Sequence, residues 1–235
     1  MTEAGQRLAD RVGEALAQLA AAVADCANPD VIRISAAPTF ASRWLAPRLT
    51  NFTEAHGLGV ALDSAIDLRP AGSFDVAVRS GTGNWKGFSA TKLFPVERTP
   101  LYNPKRYRPE RMEEPVDLLN CRLIESDDWP LWFNAIGLRS PTVGSSGSGA
   151  RYPTQDLAGT AAIEGGGLAL LSPRLFENCL LAGELIQPFD IVVRGPEAYW
   201  LLVAEQEARP SILAFRDWLV RACAASRSGD RTGGS

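Results

Sequence analysis

The chain has 235 residues, with 24 Lys plus Arg against 27 Asp plus Glu and a single His, for a formal net charge of −3. Hydrophobic residues at 46% and charged residues at 22% match an ordinary globular protein and exclude a disordered chain; at roughly 150 residues per domain, the length suits one large domain or two small lobes. The acidic balance argues against a chain that grips nucleic acid by itself, because phosphate contacts need a basic footprint.

The first predicted element is a helix over residues 3–26. Leu8, Val12, Ala15, Leu19, Ala22 and Cys26 follow a heptad spacing, with Arg7, Arg11, Glu14 and Gln18 off the seam. A helix with one apolar stripe needs a partner, either its own globular body or the same helix of a second subunit. Asn28-Pro29-Asp30 stops it. Alternating strands and helices follow. Val31–Ala36 reads as a buried strand. Thr39 is the expected N-cap of a helix carrying Trp44, Leu45, Leu49 and Phe52 and ending at His56-Gly57, with Pro47 kinking it or displacing its start. Gly59–Asp63 and Asp75–Arg79 are the next strands, with about one helical turn expected between them, and Phe94 to Tyr102 is a further extended run.

In the second half, Arg122–Glu125 reads as a strand and Trp129–Gly137 as a short helix whose tryptophans face a core. Ser140–Gly149 is a Ser/Gly loop. Gln155–Glu164 is a helix, Leu168–Leu171 a strand, Pro173–Leu181 a helix, and Leu185–Phe189 and Tyr199–Ala204 are strands. The last helix begins at Pro210 and presents Ile212, Phe215, Leu219 and Ala222 on one face. Residues 226–235 form a polar tail expected to be disordered. Such alternation implies right-handed crossovers and mainly parallel pairing, with ligands held at the carboxyl ends of strands.

Neither metal nor cofactor chemistry stands out. Cys26, Cys121, Cys179 and Cys223 lie 95, 58 and 44 residues apart, without a C-x-x-C pair, and His56 is the sole imidazole. No metal site is expected, and the thiols read as reduced and buried. Gly81-x-Gly83 is not a dinucleotide fingerprint, and no strand leads into the Gly144–Gly149 run. Asp127-Asp128 and Glu113-Glu114 read as solvated loop acids, and a catalytic role is not expected. The charged N-terminus lacks a signal-peptide pattern and no run of about 18 apolar residues occurs, so the expected address is the cytoplasm, with no membrane contact.

Five segments carry a resemblance: Thr2-Glu3-Ala4-Gly5-Gln6-Arg7-Leu8; Phe40 to Leu49; Phe74 to Arg79 with Gly81-Thr82-Gly83-Asn84-Trp85; Ala161 to Ala169; and Gly183 to Phe189. In this order the chain resembles a LysR-type transcriptional regulator from Met1 to about Ala225, nearest the branch of the glycine-cleavage activator and the β-lactamase regulator. That resemblance implies an α/β fold of two Rossmann-like lobes of the type II periplasmic-binding-protein kind, joined by two crossover strands behind an N-terminal linker helix (residues 1–28). Lobe I would hold residues 31–101 and 200–225, and lobe II residues 102–199. The family's winged helix-turn-helix would precede Thr2, where this chain starts, so direct DNA binding by the chain itself is not expected.

The resemblance implies a small polar effector held between the lobes, in a homodimer or homotetramer. Thr39-Phe40-Ala41 matches the effector-site stretch of the β-lactamase-regulator branch, and Tyr199 before Trp200-Leu201 matches its hinge tyrosine. Each also has a plainer reading, as a helix cap and as a packing ring. Ser64, at the end of a strand, and the Thr154-Gln155-Asp156 helix start complete the candidate set, with capping alone as the alternative role of Thr154. A free-standing solute-binding protein and a dominant-negative regulator fragment are the competing functions.

Overall fold

The computed structural model describes residues 2–27, 31–68, 72–140 and 150–225. The chain divides into two compact units, unit 1 from Met1–Phe94 with Ala198–Ser235 and unit 2 from Pro95–Glu197. Both divisions fall near long strands, β4 (Phe88–Leu101) and β6 (Val193–Ala204), which run from one unit into the other.

Unit 1 opens with α1 (Glu3–Ala27), the predicted helix. Its described apolar stripe lies open to solvent: Leu8, Val12, Leu16, Leu19 and Val23 are 48–65% exposed. Packing of this stripe on the globular body, one of the two expected partners, is therefore not what the fold uses. The Ala22 and Cys26 side chains of the predicted seam fall outside the described residues.

Strands β1 (Val31–Ala36), β2 (Gly59–Ser64) and β3 (Val76–Gly81) pair in parallel in the order β2-β1-β3. β6 then adds antiparallel to β3, with Val203 opposite Val76 and Ala198 opposite Gly81. The sheet is therefore mixed rather than mainly parallel, because β6, one of the two strands that cross between the units, returns antiparallel beside β3. Ile32, Ile34, Val76, Ala77 and Val78 are buried, as expected of strands covered on both faces.

Between β1 and β2 the helix contains a π-helical stretch, Phe40–Leu45, that leads into α2 (Ala46–His56). Pro47 is the physical cause: it has no N–H to donate and falls in the first turn of α2, so the preceding turn widens and Ala46 N donates to Ala41 O. The helix ends as predicted, with Gly57 in the left-handed conformation at φ 64° donating to Thr53 O. His56 is exposed at this end, and its ring stacks on Phe52 with centroids 4.4 Å apart. The described residues between β2 and β3 form bends and a turn, and residues 69–71, in the middle of the expected helical turn, lie outside the described residues.

A buried ionic knot closes the amino end of this sheet. The Asp75 carboxylate accepts from Arg33 N (2.7 Å), Arg33 Nη2 (2.7 Å) and Arg209 Nη2 (2.6 Å), while Arg209 also pairs with Glu207 at 2.7 Å. Burial of Asp75 pushes its pKa up, but the hydrogen bonds from Arg33 and Arg209 outweigh burial and hold it below the ordinary carboxylate value. The knot ties β1 and β3 to the start of α6 (Pro210–Ala225), which begins at the predicted proline and buries Ile212, Phe215, Leu219 and Cys223.

Unit 2 is built on a separate aromatic core. Trp129, Trp132 and Phe133 of α3 (Trp129–Ala135) are fully or almost fully buried with Leu118, Cys121 and Leu168, as the sequence suggested for both tryptophans. Trp129 Nε1 donates to Ile124 O at 2.8 Å, meeting the requirement of a buried indole. α4 (Gln155–Ile163) packs on β5 (Ala169–Leu171), which pairs antiparallel with β4 through Thr99–Leu101. α5 (Glu177–Leu181) starts later than the sequence suggested, after turns over 173–176.

Two expected strands shrink to bridges. Arg122–Glu125 makes only the Leu123–Leu168 and Glu125–Arg151 bridges, and Leu185–Phe189 only Ile186–Tyr102. Pro188 has no N–H with which to extend a ladder. The Ser/Gly run over 141–149 and the tail over 226–235 lie outside the described residues. Cys121, Cys179 and Cys223 are free thiols and buried, as expected.

Candidate functional site

The carboxyl ends of β1, β2 and β3 meet at one edge of unit 1, the position at which open α/β sheets hold ligands. Ala36 and Ser64 are register partners at that edge. Ala37 N donates to Val78 O (2.9 Å) and Ala65 N to Ala36 O (3.0 Å), so all three strand ends are tied together by backbone bonds.

Thr39 stands three residues beyond β1, in helical conformation (φ −66°, ψ −37°) and only 6% exposed. Its side chain makes no cap hydrogen bond, which corrects the N-cap expectation. The helix starts one residue earlier, at Pro38, whose fixed φ suits a first helical position, and that places Thr39 inside the first turn. Phe40 is fully buried and stacks on Trp44, with centroids 5.1 Å apart. Its ring also meets Tyr199 (5.6 Å), and Tyr199 meets Phe94 at 5.1 Å. Tyr199 is 4% exposed and faces Ser80 across the β3–β6 pair. Tyr199 thus packs within unit 1, and the side chain of Phe40 serves as its support. Ser64 is exposed.

A buried arginine organises this edge. Arg79, on β3, is 4% exposed, and its guanidinium donates to Ser35 O (2.9 Å), Ser35 Oγ (2.7 Å), Val78 O (2.8 Å) and Asp67 O (3.0 Å). It thereby joins the end of β1 to the segment following Ser64. An arginine inside an otherwise apolar strand, Val76-Ala77-Val78-Arg79, was the available sequence signal. Trp85 opens a turn, its O accepting from Phe88 N at 3.2 Å, and its ring packs toward Trp200, with centroids 6.2 Å apart.

In unit 2, Thr154 caps α4 as expected, its Oγ1 accepting from Leu157 N at 3.4 Å. Gln155 Oε1 accepts from Ser172 N at 2.7 Å, which fixes the side-chain amide and commits its oxygen. Among the described residues, no group of three or more His, Cys, Asp and Glu is placed to hold a metal, and no helix is long and apolar enough to cross a membrane.

A family model described as the LysR substrate binding domain matches residues 28–224. The chain belongs to this family. Its fold is therefore of the type II periplasmic-binding-protein kind, and it is a ligand-sensing regulatory domain. Among relatives, the HTH-type transcriptional activator AmpR of Citrobacter koseri is 32% identical over 199 residues, covering 82% of this chain and 67% of that protein. The glycine cleavage system transcriptional activator of Escherichia coli K12 is 29% identical over 239 aligned positions, covering 97% and 77%. The solved effector domain of AmpR from Pseudomonas aeruginosa superposes with a TM-score of 0.73 at 31% identity, covering 86% of this chain and 98% of that one. The full-length virulence activator AphB of Vibrio cholerae shares the fold, with a TM-score of 0.63 at 21% identity. The chain spans about two thirds of the length of the AmpR relatives. All these relatives are transcriptional regulators, and none is a transport binding protein.

Proposed function

We propose that this chain is the effector-sensing and oligomerising portion of a LysR-type transcriptional regulator, cytoplasmic and not itself an enzyme. The observation that carries the reading is the likeness of nearly the whole described body to an AmpR effector domain, at 31% identity and a TM-score of 0.73. A small polar metabolite is the effector. In unit 1 it contacts Thr39 and Ser64 and the hydroxyl of Tyr199; Phe40 takes part through its backbone, its ring being buried. Thr154 and Gln155 are the effector contacts of unit 2. The first turn of a helix supplies N–H groups without intrahelical partners, which suits a carboxylate on the effector.

Occupancy shifts the population between two arrangements of a homo-oligomer assembled through α1. DNA is reached through a winged helix-turn-helix in the whole regulator, and the shift changes how its paired heads sit on their half-sites. The competing transport reading draws no support from the relatives.

The test is a thermal-shift screen of polar metabolites on the wild-type chain, repeated with Thr39→Val. A metabolite that raises the melting temperature of the wild type is expected to have no effect on Thr39→Val, whose unliganded melting temperature stays within a few degrees of wild type. An undiminished response in the variant overturns the assignment of Thr39.

A further inference from the structure

Unit 1 has a second concave feature, at the end of its sheet opposite Thr39, Ser64 and Tyr199. The register places it there: Val203 pairs with Val76 at the start of β3, whereas Ala198 pairs with Gly81 at its end. Around Val203 a half-open cavity of about 450 Å³ is enclosed by the first residues of β4, the end of β6 and one flank of α6. That volume falls within the range of about 300–1,000 Å³ usual for small-molecule sites.

The lining is sorted by chemistry. Val203, Leu213 and Val220 provide apolar surface. Ser89 and Thr91, two residues apart on β4, provide hydroxyls from one face of the strand. Of the charged groups, Glu207 is committed to Arg209 (2.7 Å) and Arg216 to Asp217 (2.9 Å). Glu207 is further held because Arg209 is itself paired with the buried Asp75. Two exposed groups remain, the Glu205 carboxylate on the strand side and the Arg221 guanidinium on the helix side, and among the described residues neither has a hydrogen-bond or ion-pair partner.

One unspent charge of each sign over an apolar floor selects against simple ions. A bare anion would meet Arg221 but also face Glu205, and a bare cation would suffer the reverse. A neutral molecule would gain nothing from either charge. A zwitterion answers both through charge-assisted hydrogen bonds.

We propose that this cavity is a second small-molecule site, for an α-amino acid with an apolar side chain, with its ammonium on Glu205, its carboxylate on Arg221 and its side chain over Val203, Leu213 and Val220. The site is independent of the effector edge: it shares no residue with it and occupies the other end of the sheet. No covalent step is involved.

L-leucine is the probe, titrated to about 20 mM into the isotope-labelled full chain, because an unoptimised amino-acid site has a millimolar dissociation constant. Amide resonances of residues 89–91, 203–205 and 213–221 are expected to shift saturably. Leucinamide, lacking the carboxylate, and N-acetyl-leucine, lacking the ammonium, should each bind about tenfold more weakly, a loss of about 1.4 kcal/mol. Glu205→Gln and Arg221→Gln, both of exposed residues, should each weaken leucine binding several-fold with unchanged melting temperature, and Thr39→Val should leave it intact. The proposal fails if L-leucine gives no saturable shifts in these segments, if either charge variant binds leucine as tightly as wild type, or if Thr39→Val removes the binding.

Discussion

Arg79 Nη2 donates to the main-chain oxygen of Asp67 across 3.0 Å, and so a buried side chain on β3 holds down the loop that follows β2. The same guanidinium takes up both oxygens of Ser35. Arg79→Met leaves Ser35 O, Ser35 Oγ and Asp67 O without this donor in a water-poor site. The expected cost is about 2–4 kcal/mol, from the desolvation of orphaned acceptors, read from urea unfolding curves. Hydrogen exchange should quicken at residues 65–68 and stay unchanged at 155–163 in unit 2. Unaltered exchange at 65–68 would show that the loop is held by other contacts.

The ionic knot makes stability depend on acid. Asp75 is lowered despite its burial, because Arg33 and Arg209 donate to it, and Glu207 is lowered by the hydrogen bond from Arg209. Folded pKa values below the unfolded ones of about 3.9 and 4.3 mean that this stability is fully present above those values and is lost as pH falls through the folded values. The urea midpoint should therefore hold from pH 7 to about 5 and fall steeply below about 4. Asp75→Asn should lower stability at pH 7 and flatten that acid slope; a slope equal to wild type would remove Asp75 from the explanation.

Gly159 on α4 tests packing in unit 2. A Cβ there would stand 2.2 Å from Cε1 of Phe176, whose ring is fully buried and has no room to swing aside. Gly159→Ala should destabilise by about 1–3 kcal/mol through overpacking, although alanine is the better helix former. Adding Phe176→Leu should return part of the loss, giving a non-additive cycle. Strict additivity in chemical denaturation would contradict the contact.

The bare stripe of α1 predicts association. Val12 and Leu19 are 48% and 63% exposed on one helix face. Val12→Asp with Leu19→Asp should lower the mass seen by sedimentation equilibrium, while the melting temperature of the globular body stays within a few degrees. A wild-type chain already monomeric at micromolar concentration would remove α1 as the oligomerisation element.

Local features of the fold were legible because their causes lie within a few residues. Val31–Ala36 is a strand at the predicted boundaries, Gly57 stops α2 through its left-handed φ, and Pro210 starts α6. The family resemblance rested on short ordered segments and agreed with the family match over residues 28–224. Less of the candidate site was legible. The hydroxyl of Thr39 suggested a cap, yet Pro38 took the first helical position and Thr39 was drawn into a buried turn. The sequence pattern around Leu185–Phe189 was that of a strand, but one bridge to Tyr102 is all it forms.

From composition alone, the chain was a slightly acidic globular protein of one large domain or two lobes, and that statement stands: the length is divided between two compact units. Periodicity and caps, set by neighbouring residues, decided where most helices and strands begin and end. Tertiary structure alone decided what each face meets. It brought Arg79 to Ser35 and Asp67, Phe40 to Tyr199, and Arg209 to Asp75, pairs separated by 12 to 159 positions in the sequence. Burial strips water from such groups, so their partners must be found elsewhere in the chain, and no local pattern records where.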